Sequence, residues 1–182
     1  MYGLVHQGLR DLIIHDYGDA AWESVKQASN LSEHHFISME SYDDADTFKV
    51  VTAALDVLHI SLDKLLEDFG VYWVTYSANS SYGELFDMAG RTLPEFLKNL
   101  DMLHVRVSTM MPNLVPPSFE CSHETDHSMD VAYYSERQGL APMVTGLIKG
   151  LGIRFHTPCT VSITQTAEQT GDPTLFHVTW QP

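Results

Sequence analysis

The chain has 182 residues, 44% of them hydrophobic and 10% aromatic, which suits one domain with its own core. Twenty-four acidic residues against ten Lys and Arg leave a net charge of −14 at pH 7. That balance argues against nucleic acid, whose phosphates demand a basic surface, and against anionic membranes, while it permits docking to a basic protein patch.

The two cysteines, Cys121 and Cys159, have no paired metal spacing, so no zinc is expected and a reducing, cytoplasmic setting fits. No apolar run approaches the ~18 residues of a membrane span. The amphipathic N-terminus, with Arg10 and Asp11 inside it, is not a signal peptide.

In chain order, residues 2–17 read as a helix with Leu4, Val5, Leu9, Leu12, Ile13 and Tyr17 along one stripe, ended by Gly18. Asp19 opens a second helix through Trp22 and Val25. Asn30 to Tyr42 is looser, and its adjacent His34 and His35 read as surface residues, because neighbours on a regular element point apart. Asp43 or Asp44 caps a third helix through Phe48, Val51, Leu55 and Leu58. Ser61 caps a short fourth, with Leu65 and Phe69, closed by Gly70. A polar turn, 77–81, and a short helix around Leu85, Phe86 and Met88 follow, stopped by Gly90.

Thr92 to Met111 carries the clearest helix signals. Thr92 is a good N-cap, Pro94 sits in the first turn, and Glu95 completes a capping box. Leu93, Phe96, Leu97, Leu100, Leu103, Val107, Met110 and Met111 recur at three- and four-residue spacing, and His104 shares their face. Such a histidine is either a satisfied core residue or a metal ligand.

Pro112, Pro116 and Pro117 force an extended crossing into a strand at 118–122. A second strand, 129–137, alternates so that Tyr133, Ser135 and Arg137 share a face. Together they offer two hydroxyls and a guanidinium fork to one anionic group, unless Arg137 makes only an ordinary surface ion pair. Gly139 opens a helix through Met143, Leu147 and Leu151. Strands at 160–166 and 175–180, joined by a turn at 169–173, complete an α+β chain: an N-terminal helical subdomain of about 1–63, then helices on a four-stranded antiparallel sheet over about 64–182.

The start MYGLV, the helix LDMLHVRV, the segment PPSFEC and above all Tyr133-x-Ser135-x-Arg137 resemble the haem nitric oxide/oxygen binding domain. That family includes the haem domain of the soluble guanylate cyclase beta subunit and stand-alone bacterial gas sensors. Tyr72–Thr75 and Gly139–Met143 are most similar to the cyanobacterial members. The resemblance implies haem b lying between the two parts, with His104 as the proximal iron ligand and Tyr133, Ser135 and Arg137 on the propionates. It implies apolar walls from Met1, Tyr2, Leu4, Val5, Trp73, Leu97, Leu100, Pro117, Met143 and Leu147. Pro117 would press the porphyrin out of plane and Val5 would touch it from the distal side.

Oxygen-binding members resemble one another in a distal tyrosine, and the matching position here is Met143, whose thioether donates no hydrogen bond. The implied ligands are nitric oxide and carbon monoxide, with oxygen excluded and the signal passed by release of the His104 helix. A separate histidine kinase or nucleotide cyclase-type protein would read that signal. Three alternatives stay open: an oxygen sensor using the Trp73 indole N–H, a peroxidase-type enzyme that would need a polar distal acid or base, and a module without haem in which His104 is core. A buried, inert Cys121 is favoured over a reactive one.

Overall fold

The computed structural model describes residues 1–31, 36–79, 83–167, 171 and 173–181. His34, His35 and most of the 169–173 turn lie outside the described residues, as do Ser80 and Ser81 of the expected polar turn. The chain divides into two compact units, Met1–Leu65 and Leu66–Pro182.

The first unit is helical: α1 (Gly3–Tyr17), α2 (Asp19–Ser29), α3 (Asp44–Leu58) and the start of α4 (Leu62–Ala78). Packing of α1 on α2 and of α2 on α3 buries Leu12, Ile13, Trp22, Val25, Val50 and Ala54. The Asp43 side chain caps α3 by accepting the Ala45 N–H. The start of α1 is stitched to the segment before α3. Gly3 N–H donates to the Glu40 carbonyl (2.9 Å), Leu4 N–H to Ser38 (3.1 Å) and Tyr42 N–H to Met1 (2.8 Å). Position 3 must be glycine there, since a Cβ would strike the Ile37 carbonyl.

The second unit holds the rest of α4, then α5 (Gly83–Ala89), α6 (Leu93–Met110), β1 (Ser118–Ser122), β2 (Ser128–Tyr134), α7 (Ala141–Arg154), β3 (Cys159–Gln165) and β4 (Thr174–Trp180). The sheet is antiparallel in the order β1-β2-β4-β3. Its inner face, with Phe119, Met129, Val131, Tyr133, Phe176 and Val178, forms one core with Leu93, Phe96, Leu97 and Leu103 of α6 and Val144, Ile148 and Leu151 of α7. The α+β expectation holds.

Three local expectations do not. Gly70 does not close the fourth helix; α4 runs through it, and the residue serves close packing instead. A Cβ at Gly70 would meet the Met143 carbonyl and the Leu147 amide of α7, and a Cβ at Gly146 would meet the Glu67 carbonyl of α4. The two backbones are therefore in contact, and Lys149 adds an ion pair to Glu67 at 2.7 Å beside the crossing.

Next, β2 ends at Tyr134, short of Ser135 and Arg137, because β1 offers no partner beyond Ser118, which pairs with Tyr134. Finally, Met110 is exposed at the end of α6, whereas Met111 is buried. We expect Gly146→Ala to lower stability by about 1–3 kcal/mol, the cost of overpacking against rigid backbone; urea unfolding checks it.

Candidate functional site

Helix α6 presents His104. Its N-terminus forms as the sequence indicates: the Thr92 hydroxyl accepts the Glu95 N–H at 3.3 Å. The reciprocal arm differs by one residue, for the Glu95 carboxylate takes the Arg91 N–H at 3.0 Å. Among the described residues, His104 Nδ1 is buried and has no hydrogen-bond partner. Such an atom normally costs about 1–3 kcal/mol. Burial holds the His104 pKa below its ordinary 6.5, against the pull of the Asp101 carboxylate and the Pro117 carbonyl. The imidazole is thus neutral at pH 7, the form that ligates a metal.

Two contacts fix α6 to the sheet at this level, and neither was legible in the sequence. The Asp101 carboxylate, three residues before His104, accepts the Phe119 N–H of β1 at 3.1 Å. The Phe119 ring lies 5.6 Å from the His104 ring and 5.3 Å from Tyr133. A line of rings therefore runs from the histidine to the Tyr-x-Ser-x-Arg segment. Phe119 alternates as any strand residue does, and only the fold gives it this place.

Tyr133 sits on β2, buried, with its phenol pKa raised by burial against the Ser135 hydrogen bond and the Arg137 charge. Beyond the strand, Ser135 Oγ accepts the Arg137 N–H at 3.0 Å, a local turn. The Arg137 guanidinium reaches the Val115 carbonyl at 3.4 Å. All three side chains line one small recess of about 20 Å³, together with Gly139, Leu140 and Ala141 before and at the start of α7, and Ala167 and Thr174. That room suits one water-sized group, such as a carboxylate oxygen.

The expected walls divide by unit. Leu97 is buried in the second unit's core, and Leu100 and Leu147 pack against that core. Pro117 is half-buried and directly precedes β1. Trp73 of α4 packs its ring 5.5 Å from Phe69 and 5.7 Å from Tyr76. Met143, in the first turn of α7, is half-buried. Met1, Tyr2, Leu4 and Val5 belong to the first unit, where Tyr2 is buried and bridges to Ser41.

The two donor sets fit what the motif implies. A neutral imidazole with one buried nitrogen that has no partner among the described residues suits a metal, and a phenol, a hydroxyl and a guanidinium around one recess suit a carboxylate. Cys121 is not part of this chemistry. Its thiol is pushed up to about 11, first by burial and then by Glu124. At pH 8 only about one molecule in a thousand is thiolate. Alkylation of Cys121 followed by mass spectrometry should be slow in the folded protein and fast after denaturation.

The fold is shared with solved structures. An H-NOX protein from S. oneidensis in the Fe(II)NO ligation state matches with a TM-score of 0.88 at 17% identity over the whole of both chains. An unliganded Fe(II) H-NOX protein from K. algicida matches at 0.84 and 20% identity, covering 100% of this chain and 97% of that one. In sequence, the chain is 32% identical over 157 residues to the soluble guanylate cyclase gcy-32 of Caenorhabditis elegans, covering 85% of this chain and 23% of the relative. The cyclase gcy-34 of the same organism is 32% identical over 152 residues, covering 82% of this chain and 22% of the relative. The chain thus spans less than a quarter of the length of these cyclases. The haem-NO-binding family model covers residues 2–163. With the helix-borne histidine and the Tyr-x-Ser-x-Arg recess in one unit of this fold, the chain belongs to the haem-NO-binding, or H-NOX, family of sensor domains.

Proposed function

We propose that this domain senses nitric oxide and carbon monoxide, excludes oxygen, and passes the signal to a separate effector in the cytoplasm, a histidine kinase or a nucleotide cyclase-type protein. The observation that carries the reading is the buried His104 Nδ1 without a partner, on a neutral imidazole. Haem b, when bound, supplies a ferrous iron with one side open to a diatomic gas.

The chain's own residues do the rest. His104 would give one ring nitrogen to the iron, and the Pro117 carbonyl beside the ring would favour a proton on the other, fixing the tautomer. Tyr133, Ser135 and Arg137 hold carboxylate oxygens of the propionates. Leu97, Leu100, Leu147, Trp73, Met143 and Pro117, with Met1, Tyr2, Leu4 and Val5, serve as apolar walls. Met143 brings no O–H or N–H to the gas. An oxygen ligand would call for such a donor, whereas the other two gases would gain little from one. The missing bond is worth about 1–3 kcal/mol, roughly ten- to a hundredfold against oxygen.

Displacement of His104 would move α6, and the Asp101 bond to Phe119 is the nearest attachment that has to yield. The partner then reads a two-state helix.

Absorption spectra of the ferrous protein under argon, in air and with nitric oxide test the reading. We expect no change in air and a five-coordinate nitrosyl spectrum with nitric oxide. An oxy spectrum in air would move the function to oxygen and make Trp73 the candidate donor. His104→Gly should lose the histidine-ligated spectrum and regain it with added imidazole. Arg137→Ala should speed haem loss to an acceptor protein by roughly ten- to a hundredfold, the weight of charge-assisted hydrogen bonds.

A further inference from the structure

His6 has no part in the proposed gas site, yet it is one of the most completely built positions in the first unit. Its ring is 1% exposed. It stacks on Phe36 at 3.9 Å with an interplanar angle of 11°, and the Tyr42 ring meets it edge-on at 5.7 Å. Both nitrogens are engaged. Nδ1 lies 3.3 Å from the Tyr2 carbonyl and Nε2 lies 2.9 Å from the Thr47 hydroxyl.

A carbonyl only accepts, so Nδ1 carries the proton and Nε2 accepts the Thr47 O–H. The neutral imidazole therefore links α1 to α3. The Tyr2 oxygen it holds is the one that accepts the Val5 N–H at 3.0 Å and closes the first turn of α1.

We propose that His6 is a proton-sensitive clamp, holding the first turn of α1 to α3 while neutral and releasing it when protonated. A second proton, on Nε2, would put two donors face to face unless the Thr47 hydroxyl turns away, and it would leave a charge where no water reaches. Among the described residues, three charged groups act on the ring. The N-terminal ammonium opposes protonation, and Asp46 and Asp44 at the start of α3 favour it.

Burial outweighs the carboxylates and holds the pKa below the ordinary 6.5. The sign follows. As pH falls through 6.5 the unfolded chain takes up the proton first, so the clamp's stabilisation is complete above that value and is lost between it and the lower native one. Its link to gas binding rests on the reading of Val5 as a haem contact.

The test follows the full chain by NMR. The His6 ring nitrogens should titrate with a midpoint below 6.5, and the Val5 and Thr47 amides should move with the same midpoint. Asp46→Asn, at a half-buried position where only the ion pair to Lys49 (2.8 Å) is lost with the charge, should lower that midpoint. His6→Gln should leave the Val5 amide indifferent to pH. In the haem-loaded protein, carbon monoxide dissociation should change about two- to tenfold across the same midpoint, the weight of one hydrogen bond, and should stay flat in His6→Gln.

A Val5 amide that ignores His6 protonation, or a midpoint unmoved in Asp46→Asn, overturns the clamp. Flat gas kinetics with a normal ring titration overturn only the link to Val5. A chain that takes up no haem sinks the sensor reading and leaves the NMR result to decide the clamp.

Discussion

A buried imidazole nitrogen with nothing to bond among the described residues is the constraint around which the second unit makes sense. Interiors rarely keep such an atom, and this one sits on a helix whose capping, apolar face and anchoring are all well made. Thr92 and Glu95 fix where α6 begins, Leu93, Phe96 and Leu97 fix which face it buries, and Asp101 fixes its height against β1. The same rotation that buries the leucines carries His104 inward beside Phe119 and Pro117. All of these anchors precede His104, so α6 is fixed from its N-terminal side up to the unsatisfied nitrogen, in a chain that belongs to a haem-binding family.

The backbone contact of α4 with α7 serves the same end. Gly70 and Gly146 let two helices touch without side chains between them. That contact seats the first turns of α7, with Met143 and Leu147, directly on α4, two of whose residues further along are Trp73 and Val74. Position and chemistry are coupled here. The backbone at Met143 is held against α4 by a glycine whose missing Cβ leaves the room.

Much of this was legible from local signals. The β1 boundaries follow from the prolines before it, and α6 from its caps and period. Tyr133, Ser135 and Arg137 were legible as a set, but the reason given for their convergence was incomplete. Alternation places Tyr133 inward, whereas Ser135 and Arg137 arrive through a hydroxyl-to-amide turn after the ladder has run out of partner. Gly70 misled because a glycine stops a helix in isolation, while tertiary packing decides it here. Phe119, Asp101 and His6 carry no local signal, since partners that place them are distant in the chain, as with His104 and Phe119 at a separation of 15, Asp101 and Phe119 at 18 and His6 and Thr47 at 41.

The sheet ends on one side in β3, Cys159 to Gln165, with the sequence CTVSITQ: four β-branched residues, a bulge at Ile163 to Gln165, and no charge anywhere. Edge strands of this composition are templates for another strand. What opposes two copies meeting there is long-range repulsion from the −14 charge, which added salt screens within about 10 Å at 0.1 M. The colloidal behaviour of the protein should therefore be governed by ionic strength and by nearness to its isoelectric point of about 4.9, so that concentrated acidic or high-salt solutions are where it would be lost to association.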